Sequence, residues 1–212
     1  MKLDTRLTPV TACLIVLAVL FPFIPDLHLS LFSEHVVTVV ENAQAAWLLF
    51  GAVFTLCYAR SAGLAERPRT FWLWAVVWWL VLFGRSVSWG REYFPEGPKL
   101  LFRIISVVLI GTLVLWLVFS KALRQEVMAR LRSETLPLWT AALVVCSFLI
   151  SDAVEHHRLL APLFLHNPLY QDLIEELYEI PFMVGLFIIV CTMLAREKRA
   201  VHSSTGSAQR RA

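Results

Sequence analysis

Asp152 and His156 stand four residues apart with Glu155 between them, and Glu175 and Glu179 repeat that spacing with Glu176 beside them. Residues four apart on a helix share a face. Each pair can therefore turn two ligand atoms toward one point. An oxygen-rich set with an imidazole suits zinc, manganese or iron. A divalent metal held by Asp152, His156, Glu175, Glu176 and Glu179 would acidify a bound water and supply a hydroxide nucleophile near neutral pH. Helical bundles do build two-metal centres from inward carboxylates, but those use Glu-x-x-His on two helices. Here the spacing is Asp-x-x-x-His, and it occurs once.

A second set would act on a substrate. Arg85, Arg91 and Arg103 suit a phosphate group, because a guanidinium presents paired N–H donors to it. Arg85, Ser88 and Glu92 fall on one helical face, and Glu41 can offer a further oxygen to a metal or carry a proton. Glu41, Glu92, Arg85 and Arg103 are the candidate catalytic residues. The reaction this chemistry suggests is hydrolysis or transfer on a lipid headgroup or another membrane-proximal small molecule.

Two other readings use the same residues. Ionisable groups inside membrane spans mark proton or cation relays, and Glu41, Asp152 and Glu179 could form one, with Pro181 breaking the helix nearby. No matching polar groups occupy the opposite halves of the helices, which counts against a carrier. In the third reading the carboxylates pair with Arg85, Arg103 and Lys99 and only fix helix register, as in a non-catalytic subunit or assembly factor.

The elements that must position these groups follow from composition. The chain has 212 residues, 58% of them apolar, and a mean hydropathy of +0.67. Soluble domains are nearer 45–50% apolar. Continuous apolar runs near the ~20 residues that span a bilayer, without strand alternation, predict an all-α polytopic membrane protein. Six spans are predicted, near 8–24, 36–59, 70–89, 100–119, 136–154 and 173–195. They form one six-helix transmembrane bundle over residues 1–199, with a charged amphipathic segment from Lys121 to Arg132 and a disordered tail over 200–212. The first run mimics a signal peptide but lacks a small-x-small cleavage site, so it reads as a retained helix.

Fourteen of the nineteen Lys and Arg residues fall on the side shared by both ends. The positive-inside rule then places both termini in the cytoplasm of a cell, or inner, membrane. In that orientation Glu41, Arg85, Glu92, Arg103, Asp152, His156 and the α-helical stripe Glu175–Glu179 all come to the outer face, as one acidic cavity. His28, His35 and His166 fall in outer loops and read as solvated. The four cysteines sit in apolar runs without a Cys-x-x-Cys pair, which argues against disulfides or a thiolate metal site. No two histidines lie mid-span, so bis-histidine haem is disfavoured. No glycine-rich phosphate loop or nucleophile elbow is present, and nothing supports nucleic acid as a partner; the bilayer is the expected one.

Overall fold

A computed structural model of the chain describes residues 2–24, 34–91 and 93–209, the side chains of 34, 35 and 200–209 excepted. The architecture is helical. Eight α-helices occur among the described residues: α1 Pro9–Leu20, α2 Glu34–Ser61, α3 Glu66–Ser86, α4 Lys99–Phe119, α5 Lys121–Ser133, α6 Leu138–Glu155, α7 Ala161–Phe164 and α8 Gln171–Gln209. Two three-residue strands, β1 Lys2–Asp4 and β2 Thr135–Pro137, pair in parallel.

Among the described residues, four helical stretches are long and apolar enough to cross a membrane: Val36–Ser61, Lys99–Phe119, Leu138–Glu155 and Pro168–Arg199. The first apolar helix, Pro9–Phe23, is shorter. Helix α3 is not among the four, for a reason visible in its residues. It opens on Glu66, Arg67 and Arg69, and much of its bulk is tryptophan rather than aliphatic. Charged ends and indoles suit an interface more than the hydrocarbon centre.

The chain divides into two compact units, Met1–Ser30 with Glu134–Ala212, and Leu31–Ser133. In the first unit, α6 and α8 form the most extensive helix pair. Gly185 lies in their contact, where a Cβ would stand 2.6 Å from Val144 Cγ2. Small residues let helix backbones come this near where apolar solvent offers no other drive to associate.

Helix α1 is fastened to that pair at both ends. Thr8 caps it, accepting from the Thr11 amide. The buried Thr11 hydroxyl meets Thr140 of α6 at 2.9 Å. Trp139 Nε1 donates to the Thr5 carbonyl at 3.0 Å. At the other end the Tyr178 hydroxyl of α8 donates to the Ala18 carbonyl at 2.9 Å. The Tyr178 ring meets Phe21 edge-on at 5.3 Å and Phe164 at 5.7 Å. Phe21, Val154, Ile174 and Tyr178 are the buried core at this end, so the end of α6 and the start of α8 are held where the acidic residues begin.

In the second unit, Gly51 of α2 takes the face of the Trp79 ring of α3, with a Cβ there only 2.9 Å from the indole. Helix α5 packs back on α3. Leu123 is fully buried, and the Arg130 guanidinium lies 4.2 Å from the centre of the Phe71 ring and 5.2 Å from that of Trp72. Glu126 completes the contact, accepting from Arg130 Nε at 2.9 Å. A desolvated guanidinium over aromatic faces is worth about 2 kcal/mol, and its loss also strands Glu126. Arg130→Ala should therefore lower the unfolding free energy by about 2–3 kcal/mol in a thermal or denaturant melt. Arg130→Lys should recover only part of that, because an ammonium lacks the planar stack.

Candidate functional site

Helix α6 ends in a complete reversal, and that reversal builds the site. His156 is its cap residue. His157 takes the left-handed conformation, with φ of 49°. The Arg158 amide bonds the Ala153 carbonyl at 2.9 Å, and the His157 amide bonds that of Val154 at 3.3 Å. This pair of bonds is the Schellman closure of a helix C-terminus. It swings Arg158 back over the last turn, where its guanidinium meets Asp152 Oδ2 at 2.7 Å. Glycine usually fills the left-handed position, since a Cβ there costs roughly 1–2 kcal/mol. His157→Gly should thus stabilise the first unit, by up to about 1 kcal/mol after the entropy of the more flexible unfolded chain is offset. A thermal melt checks this.

Around that turn, ligand atoms of Asp152, Glu155 and His156 lie within 4.8 Å of one another. His156 Nδ1 stands 3.7 Å from Asp152 Oδ1 and 3.6 Å from Glu155 Oε2, and it is 3.2 Å from the Asp152 carbonyl oxygen. The Asp152 side chain is about one-fifth exposed and that of His156 about half. The cluster is therefore open on one side. Two carboxylates and an imidazole at this spacing can take one divalent cation. Next to it, the Gln171 amide group donates to the Val154 and Glu155 carbonyls, at 3.4 and 3.2 Å. Gln171 so fixes the first residue of α8 to the last turn of α6.

The remaining candidate ligands follow on α8. Glu175, Glu176 and Glu179 are each partly buried, and Glu176 Oε2 is wholly buried. They do not enter the three-residue cluster. Pro181 continues inside the helix and is fully buried.

The candidate catalytic residues all belong to the second unit. Glu41 is partly buried in α2, Arg85 is exposed at the end of α3, and Arg103 is exposed on α4. The Arg103 guanidinium has no polar partner among the described residues. Glu92 lies outside the described residues, as does His28, and the side chain of His35 is likewise not described. His166 is exposed and packs edge-on to Phe23 at 5.9 Å.

Two features escape sequence reading. Arg158 reaches Asp152 only because His157 reverses the chain, and a histidine carries no turn signal. In the second unit the Tyr93 hydroxyl donates to Asn42 Oδ1 at 2.6 Å. That contact spans a sequence separation that periodicity does not address.

Comparison of the chain with protein-family models, with curated proteins and with solved structures finds no match.

Proposed function

We propose that the chain is an integral membrane protein whose working end is the α6–α8 junction, where Asp152, Glu155 and His156 bind a divalent cation. One observation carries the reading. Three ligand-bearing side chains converge within 4.8 Å at the end of a helix apolar enough to span a bilayer. Ionisable groups at such a place are costly to keep unless they serve or pair.

Zinc, manganese and iron(II) fit a set of two carboxylates and one imidazole. Three protein ligands leave positions open for water, the arrangement that gives a metal-bound hydroxide. The activity this favours is metal-dependent hydrolysis or transfer on a substrate that reaches the membrane surface. Glu175, Glu176 and Glu179, beginning one turn beyond Gln171, extend the negative field that draws a cation in.

A second reading rests on the 2.7 Å contact between Arg158 and Asp152. In it the guanidinium is the cation, and the cluster only closes the helix. Metal analysis of the purified chain by mass spectrometry separates the two. The cation reading expects one equivalent of metal in the native chain and none in Asp152→Ala or His156→Ala. Metal-free native protein, or metal retained unchanged in both variants, would overturn it in favour of the ion pair.

A further inference from the structure

The first unit also holds a cleft that the acidic cluster does not use. It has a volume of about 440 Å³ and runs between α1 and α6, with α7 and the loop after it closing one end. That size falls within the ~300–1,000 Å³ of small-molecule sites. Its α6 wall extends from Trp139 to Ile150, twelve residues or about 16 Å of helix. This is close to half of the ~30 Å hydrocarbon thickness, the depth of one leaflet.

The walls are apolar, and the polar groups on them are few. Trp139 and Tyr178 are already committed, their donors spent on the Thr5 and Ala18 carbonyls. Ser147 is not. It is 1% exposed, lines the cleft, and its hydroxyl has no hydrogen-bond partner among the described residues. Serine in a helix usually satisfies itself on the carbonyl four residues back, as Ser61 and Ser133 do here. His166, at the mouth, is the other polar group facing the cleft.

We propose that this cleft binds a single long apolar chain bearing a carbonyl oxygen, which accepts the Ser147 hydroxyl. A fatty acid and an acyl ester share that chemistry. The site is separate from the cation cluster, and its test does not depend on metal.

Cys146 lines the cleft and is exposed to it, so it reports occupancy. The full chain in detergent, with Cys13, Cys57 and Cys191 replaced by alanine, is alkylated with a maleimide in the presence of palmitic acid, monopalmitoylglycerol or hexadecane. Alkylation should slow and saturate with one or both of the oxygen-bearing probes, and the arm that protects identifies free acid or ester. Hexadecane should protect more weakly. Ser147→Ala should raise the half-protecting concentration by roughly threefold to tenfold, the worth of one hydrogen bond. Ala142→Trp, which fills the cleft, should abolish protection. Absence of protection by both oxygen-bearing probes, equal protection by hexadecane, or unchanged protection in Ser147→Ala would overturn the assignment. So would equal protection of a single-cysteine chain keeping Cys57, which lies outside the cleft.

Discussion

Gly185→Leu should be the most damaging single substitution in the first unit, costing about 3 kcal/mol and lowering the melting temperature by roughly 6–12 °C. The reason is local. Even a bare Cβ at this position would come within 2.6 Å of Val144 Cγ2, well inside van der Waals contact, and a leucine must push α6 and α8 apart to be housed. These two helices carry the acidic cluster, its Gln171 brace and the Tyr178 anchor for α1. Separation would therefore loosen the site as well as the fold. The pair Gly185→Leu with Val144→Ala should recover much of the loss, since it removes the methyl that the new side chain meets. If the double variant were no more stable than Gly185→Leu alone, the contact would not be the cause.

The second large effect concerns cation affinity, and it has an unusual sign. Arg158 holds one oxygen of Asp152 at 2.7 Å while being 61% exposed itself. An ion pair that open contributes at most about 1 kcal/mol to stability. Arg158→Ala should leave the melting temperature almost unchanged. It should tighten cation binding, because a competing positive charge leaves the ligand set. Five- to tenfold is the expected gain, the equivalent of about 1 kcal/mol. Asp152→Ala should do the opposite and abolish saturable binding. If the cluster were only a helix closure, both variants would change stability slightly and neither would change affinity. Isothermal titration with Zn²⁺ or Mn²⁺ reads both.

Much of this was legible before any coordinates. The all-helical architecture follows from long apolar runs without strand alternation, of which α4 is the plainest case. The Asp152–His156 spacing is a statement about one helix face, and helical period alone places those side chains together. Glu155 reads from the sequence only as lying between them, yet it completes the cluster, with its Oε2 3.6 Å from His156 Nδ1.

What was not legible has physical reasons. A Schellman closure with histidine in the left-handed position gives no glycine to read, so the return of Arg158 onto Asp152 leaves no trace in the pattern. Tryptophan is large and apolar in area but weakly hydropathic, and α3 looks different by those two measures. The pairing of β1 with β2 joins three-residue strands across most of the chain, too short for alternation to be seen. Ser147 looks like any helical serine in sequence. Only its place on the wall of the cleft singles it out.

The central claim, that Asp152, Glu155 and His156 hold one cation together, is tested most directly by pulsed electron paramagnetic resonance on Mn²⁺ added to the purified chain. A bound ion should show modulation from one imidazole nitrogen. That signal should vanish in His156→Ala and persist in His157→Ala and His166→Ala. Mn²⁺ that binds without nitrogen modulation, or modulation that survives His156→Ala, would contradict it.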